Sequence, residues 1–386
     1  MQRQVISLRQ ESRQSEINIG YGIRRNLEKL VLRTFGQFPG KTILISNKRV
    51  FRLYGLEVMA DLKTATKCFP WLIPDGERYK SFRTFESVVN TFADIGLERN
   101  DLVIALGGGV VGDLAGFAAS TYLRGVRLLQ VPTTLLAQID SSIGGKTAIN
   151  LTAGKNLVGT FYQPDAVCID TETLGSLPPR ELVSGFCEMV KQSLVASPDL
   201  FEQTVGLLQR FHMDHAILAS PEFESLIAAH CRFKASIVVN DERESTERKD
   251  SRSRRILNFG HTTAHALEKV TNYRYFRHGE AVGYGMLVAG ELSMHLGLLS
   301  SAKLERLREA VQLCGRLPSA AKLDLAKIKD AVKLDKKSVR GEINWVLVDD
   351  IGSPRIVEGR AISNKVLGLS LMEGLGISRR RIERSH

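Results

Sequence analysis

The chain is 386 residues long, 43% hydrophobic and 25% charged, a globular composition with apolar material for more than one core, since single cores stop growing well before this length. Its net charge of +11 would suit nucleic acid, a membrane surface or an anionic small molecule; part of the excess sits in two short runs, 248–255 and 379–384, without interleaved aromatics or a nucleic-acid-binding module, and these read as a solvated loop and a chain tail. Five widely spaced cysteines with no CxxC pair argue against a disulfide scaffold, and a polar start with no apolar run approaching ~20 residues argues against secretion or membrane insertion, so the expectation is a cytoplasmic protein with no nucleic acid and no membrane as partner.

Along the first half, short apolar runs alternate with helical patterns, the sign of βαβ units and a parallel sheet. KTILIS (Lys41 to Ser46) reads as a strand and Val50 to Leu62 as a helix. DLVIAL (Asp101 to Leu106) reads as a strand running into GGGVVGD, and VRLLQV (Val126 to Val131) as a strand ended by Pro132. Past about Pro178 apolar residues recur three and four apart over Arg180 to Leu194 and Leu304 to Leu313, which predicts helices. A hairpin pairing Ile343 to Leu347 with Pro354 to Val357 interrupts them. The expected architecture is an N-terminal α/β, Rossmann-like domain over residues 1–178 and a mostly α-helical C-terminal domain over 179–386.

Three clusters could carry chemistry. Gly107 to Asp113 follows a strand and opens a helix, where backbone N–H groups can approach a pyrophosphate without Cβ obstruction, although the run is not GxGxxG and could equally be a tight turn. Asp140 to Thr147 looks like the end of a phosphate loop, but Asp140 stands where its first glycine would be; Lys155 and Asn156 follow closely. In NFGHTTAH, Asn258 to His265, the two histidines fall on one helix face, so His261, His265 or both could ligate a metal, with His278 not far behind. Glu188, three residues before Lys191 in an apolar helix, is the candidate third ligand; a plain surface ion pair is the other reading.

Taken in order, the blocks PDGERYK (from Pro74), GGGVVGDLAGFAASTYLRG (from Gly107), VPTTLLAQIDSSIGGKTAIN (from Val131), KNLVGTFYQP (from Lys155), LNFGHTTAHALE (from Leu257) and HGEAV (from His278) closely resemble the 3-dehydroquinate synthase family, from about Ile45 to Gly352. The resemblance implies conversion of 3-deoxy-D-arabino-heptulosonate 7-phosphate, a seven-carbon sugar phosphate, to 3-dehydroquinate and phosphate, through transient oxidation by NAD, elimination, re-reduction and aldol closure. It implies a divalent metal, zinc or cobalt, on Glu188, His261 and His278, with His265 moving protons. NAD would meet Gly108, Gly109, Val110 and Asp113, with Asn47, Glu77, Lys80, Thr133, Thr134, Lys155, Thr173 and Ser176 around it. The family's catalytic set would further include Glu244, Lys146, Lys191, Arg254 and Asn258, and its substrate contacts Asp140, Asn156, Lys234 and a lysine of the pair Lys336 and Lys337. Arg124 resembles an arginine that a homodimer lends across its interface.

Three departures stand out. Ser245 to Ser253 is an apparent insertion between Glu244 and Arg254, which puts both roles in doubt and makes Arg252 or Arg255 possible substitutes; Ala264 replaces a glycine, and Ser184 occupies a position usually asparagine or small. Valiolone-type and aminocyclitol cyclases differ at the positions of Asn258 and His265, while metal-dependent polyol dehydrogenases share the glycine turn and metal-binding histidines.

Overall fold

A computed structural model describes residues 14–212, 215–335 and 344–378. Lys336 and Lys337, the C-terminal basic run and Ile343 lie outside the described residues. By internal contacts the chain divides into one unit made of residues up to Asn18, 23–131 and 145–169, and another made of 19–22, 132–144 and the residues from Asp170 onward. Segments 132–144 and 170–178 thus group with the helical unit, a finer division than the single boundary at 178 expected from hydrophobic period.

The first unit is built on a six-stranded sheet: β1 (Glu16–Gly20), β2 (Lys41–Asn47), β3 (Lys67–Ile73), β4 (Leu102–Gly107), β5 (Arg127–Pro132) and, after a hairpin of β6 (Lys146–Leu151) and β7 (Gly154–Phe161), β8 (Ala166–Asp170). Their order is β1-β8-β5-β4-β2-β3, with β2 parallel to β3 and β4, and β5 parallel to β8. Alternate residues of the central strands feed two cores: Ile43, Ile45, Val103 and Ala105 enter one, Leu44, Leu102, Ile104 and Leu106 the other. Burial on both faces is why these strands read as unbroken apolar runs. The chain moves one way from β2 to β3 and then back to β4 on β2's other side. Between β2 and β4 the order therefore reverses, and in open α/β sheets ligands bind beyond the carboxyl ends of the strands at such a point. The helical stretch after β2 carries a π-turn, Phe51–Gly55, that apolar spacing does not announce.

The second unit is mainly helical. Pro179–Ala196, Pro198–Phe211 and Pro221–Asn240 each begin with proline in the first turn, where its missing N–H costs nothing. The Ser197 and Ser220 hydroxyls accept from the first turn of the latter two. The apolar helix His278–His295 packs against His261–Val270, Pro179–Ala196 and Asn364–Leu375. β9 (Asn344–Asp350) and β10 (Ser353–Glu358) form the expected antiparallel hairpin. Among the described residues no helix is long and apolar enough to cross a membrane, and none of the five cysteines forms a disulfide.

Candidate active site

In the α/β unit, β4 ends at Gly107 and a helix starts at Gly109, with Gly108 as its side-chain-free N-cap. A Cβ on Gly107 would stand 2.7 Å from Val111 Cγ2, and one on Gly116 would stand 2.5 Å from Thr147 Cγ2, so both glycines let helix and strands approach closely. Val110 and Asp113 lie in the first turns of this helix. At the end of β2, Asn47 Oδ1 accepts the Val50 N–H at 2.8 Å and caps the next helix.

Four of the expected cofactor and substrate residues belong to one network in this unit. Lys80 is buried, and its ammonium bonds the Asp113 carboxylate and the Asn156 amide oxygen. Asn150, which the sequence reading did not single out, joins the rest: its side chain donates to Glu77 Oε1 at 2.8 Å and accepts from Asn156 N at 2.9 Å, and its own N–H meets Lys80 O at 2.8 Å. Lys155 is half-buried, whereas Lys146 is exposed at the start of β6. Lys146 therefore opens a strand; in a phosphate loop it would open a helix. Arg124 is exposed and follows Leu123, and both have left-handed backbones (φ 66 and 48). Such geometry costs non-glycine residues about 1–2 kcal/mol each, strain of the kind that collects at functional sites.

In the helical unit, ligand atoms of Glu188, His261 and His278 all lie within 4.8 Å of one another. Small residues allow this convergence. A Cβ on Gly279 would sit 1.9 Å from Ser184 O, and one on Gly285 would sit 1.9 Å from Gly260 O, so the helix carrying His278 lies directly on its neighbours. Ser184 is more than tolerated there, since its hydroxyl accepts the Gly279 N–H at 2.9 Å. Ala264 is fully buried.

The Glu188 carboxylate is fully buried, so the surface-pair reading of Glu188 and Lys191 is set aside. Lys191 Nζ stands 2.6 Å from Oε2 and His278 Nε2 3.6 Å from Oε1, yet neither oxygen accepts a hydrogen bond of good geometry. Lys191 offsets its charge, but buried carboxylate oxygens without well-formed hydrogen bonds keep lone pairs for a further cation. Burial first, then Lys191 and the neighbouring histidines, holds His261 well below the ordinary histidine range, in the neutral form that ligates metals. His261 Nδ1 faces Phe259 O at 3.3 Å, which leaves Nε2 for an ion. His278 Nδ1 faces the buried Glu268 carboxylate at 3.5 Å, an outer partner missed from sequence. The His265 ring stands 5.6 Å from that of His261, beside the three-ligand group without entering it. This donor set fits a divalent ion with open positions.

Nearby on the same unit, Lys234 Nζ donates to Asp140 O at 2.6 Å and also to its carboxylate. Burial alone would raise the Asp140 pKa, but Lys234 and Lys191 hold it well below the carboxylate range. After the insertion Arg254 is buried, donating to Gly144 O at 2.9 Å and Glu242 O at 2.7 Å, while Arg252 is exposed. One carboxylate ties both ends of the excursion, with Asp241 accepting from Ser245 N and Arg254 N, each at 2.8 Å. Asn258 donates to Glu244 Oε1 at 2.8 Å, and Glu244 has a left-handed φ of 54. The Thr133 hydroxyl is buried with no hydrogen-bond partner among the described residues, Thr134 accepts from Ala137 N at 3.2 Å, Thr173 is fully buried and donates to Asp170 O at 2.7 Å, and Ser176 donates to Thr173 O at 3.1 Å. A second His–carboxylate group, Glu291, His295 and Glu373, is already engaged by Arg308 and by a 2.7 Å bond from His295 to Glu373.

Models for the 3-dehydroquinate synthase N-terminal and C-terminal regions match residues 70–184 and 185–338. A 3-dehydroquinate synthase of Thermodesulfovibrio yellowstonii is 42% identical over 318 residues, covering 81% of this chain and 85% of that protein. Two solved structures share the fold. A 2-epi-5-epi-valiolone synthase from Streptomyces hygroscopicus subsp. jinggangensis 5008, with NAD+ and Zn2+ bound, has a TM-score of 0.83 at 25% identity, covering 96% of this chain and 99% of that one. A 2-deoxy-scyllo-inosose synthase complexed with carbaglucose-6-phosphate, NAD+ and Co2+ has a TM-score of 0.79 at 26% identity, covering 94% and 96%. With family models and relatives spanning most of its length, the chain belongs to the 3-dehydroquinate synthase family.

Proposed function

We propose that the chain converts 3-deoxy-D-arabino-heptulosonate 7-phosphate to 3-dehydroquinate and phosphate, a lyase reaction of phosphate elimination followed by ring closure. The observation that carries this reading is the buried Glu188 carboxylate beside two imidazoles, in a chain 42% identical to a 3-dehydroquinate synthase. Bound to this chain, NAD would supply a hydride acceptor restored within each turnover, and zinc or cobalt a Lewis acid for substrate oxygens.

The chain's own residues supply the rest. The glycine turn after β4 and the Lys80 network suit the dinucleotide's phosphates and ribose, with Thr133, Thr134, Lys155, Thr173 and Ser176 assigned by resemblance. Lys191, Lys234 and Arg254 in the helical unit, and Lys146 in the α/β unit, give the cationic donors that a substrate bearing carboxylate and phosphate requires. Asp140, Asn156, Asn258 and Lys336 would meet its hydroxyls and anionic groups. His265, one helical turn from a ligand, would move protons, and Glu244 would orient Asn258 through their hydrogen bond. Discrimination between heptulosonate phosphate and sedoheptulose 7-phosphate tests the substrate: only the first should release phosphate, and preference for the second would place the chain with the valiolone-type cyclases.

Glu268→Gln should weaken zinc binding about 10–100-fold, since a carboxylate facing a ligating histidine sets its tautomer and basicity. Titration calorimetry on the metal-free protein reads this directly, and unchanged affinity would remove Glu268 from the metal's surroundings.

The working protein is a cytoplasmic homodimer in which Arg124 of each subunit serves the other. Mixing inactive Arg124→Ala with inactive Lys146→Ala should then restore activity in hybrid dimers, because one of the two sites regains both residues. No recovery despite demonstrated subunit exchange would mean that Arg124 acts within its own subunit.

A further inference from the structure

The Asp140 carboxylate is the end of a buried hydrogen-bond chain for which the reaction itself gives no reason. Gln192, Thr204 and His230 are fully buried on the helices Pro179–Ala196, Pro198–Phe211 and Pro221–Asn240. The Gln192 amide nitrogen donates to Ile139 O at 3.0 Å and to Asp140 Oδ1 at 3.2 Å, and the amide oxygen lies 3.2 Å from His230 Nδ1. His230 Nε2 is 3.2 Å from the Thr204 hydroxyl.

Donors and acceptors allow one order. Two acceptors face the Gln192 nitrogen, so turning the amide round would set its oxygen against a carbonyl and a carboxylate. The oxygen therefore accepts, His230 carries its proton on Nδ1, and Nε2 accepts from Thr204, whose single hydroxyl proton is divided with Leu200 O at 2.8 Å. Burial, and then the Lys191 ammonium, lowers the His230 pKa to about 3, so the ring is neutral near pH 7 and no doubly protonated form disturbs the order. Gln192 and Lys234 both bond Oδ1 of Asp140, and neither uses Oδ2. For packing alone, apolar side chains would serve as well as this satisfied polar chain, and polar chains are costly when half-satisfied. Its outlet is a carboxylate side chain that keeps 21% of its exposure.

We propose that Gln192 and His230 are positioning residues for the reaction, holding Asp140 through this chain in the orientation that meets the substrate. This rests on the assignment of Asp140 to substrate given above, and the test separates the two. Holoenzyme loaded with NAD and zinc is compared as His230→Leu, His230→Asn, Asp140→Asn and the double variant His230→Leu/Asp140→Asn, reading kcat, KM, zinc affinity and thermal unfolding. His230→Leu should lower kcat/KM by up to about a hundredfold, the scale of a small misplacement remote from the chemistry, with zinc affinity unchanged. His230→Asn, whose amide nitrogen takes the place of Nδ1, should regain most of that loss. In the Asp140→Asn background His230→Leu should add less than about twofold, because both changes act through one group.

A loss from His230→Leu that is undiminished in that background would overturn the proposal, as would parental kcat/KM in His230→Leu beside an impaired Asp140→Asn. Full activity in Asp140→Asn would instead sink the assignment of Asp140 to substrate, and the proposal with it. Should His230→Leu fail to fold, Gln192→Met breaks the chain at its next link and is held to the same outcomes.

Discussion

Replacing His261 with alanine should abolish phosphate release while leaving the fold in place. His261 is the first residue of its helix, and its ring is turned by Phe259 O so that Nε2 joins Glu188 and His278. Without it only two of the three ligands remain, and an open catalytic site on two ligands holds its ion poorly. With the ion go several kcal/mol of charge stabilisation, so the rate should fall by about a thousandfold or more. The fold should survive because the metal-free ring is a neutral imidazole at the start of its helix, whose hydrogen bond to Phe259 O is long at 3.3 Å. Circular dichroism and thermal unfolding check the fold, and a phosphate assay checks the rate. Undiminished turnover in the variant would separate His261 from the metal.

The second large effect concerns stability. Glu188 and Lys191 are an ion pair at 2.6 Å, with side chains 0% and 1% exposed. Removing one partner of a buried pair leaves an uncompensated charge, which costs about 3–5 kcal/mol. Lys191→Met should therefore destabilise the metal-free protein by that order, and zinc should recover much of the loss by giving the Glu188 carboxylate a cation again. Denaturant unfolding with and without zinc measures both parts. Equal metal-free stability of parent and variant would show that Glu188 does not depend on Lys191 for its charge.

Much of the α/β unit was legible because its physics is local. KTILIS, DLVIAL and VRLLQV are apolar on both faces and bounded by polar residues, glycine or proline, so each reads as a buried parallel strand. The β6–β7 hairpin is not legible in the sequence, because the glycines before Lys146 mimic a phosphate loop and its pairing partner lies across a turn. Nor could spacing show that 132–144 groups with the helices, a matter of tertiary contact alone.

The site was legible in residue type and illegible in arrangement. Histidines at 261 and 265 share a helix face, yet the residue that joins His261 and Glu188 is His278, brought there by Gly279 lying on Ser184. Asn150, Glu268, Gln192 and His230 carry no signal of their own in the sequence, because each meets its partners on other elements. The insertion after Glu244 looked disruptive in sequence, but Asp241 ties both of its ends and keeps Arg254 buried, which only three-dimensional bonding reveals.

The most direct measurement incubates the purified protein with heptulosonate 7-phosphate, NAD and zinc and follows phosphate, product and NADH together. The account predicts one phosphate and one 3-dehydroquinate per substrate consumed, with no lasting NADH absorbance. NADH accumulating in step with substrate loss, without phosphate release, would make the chain a dehydrogenase and contradict it.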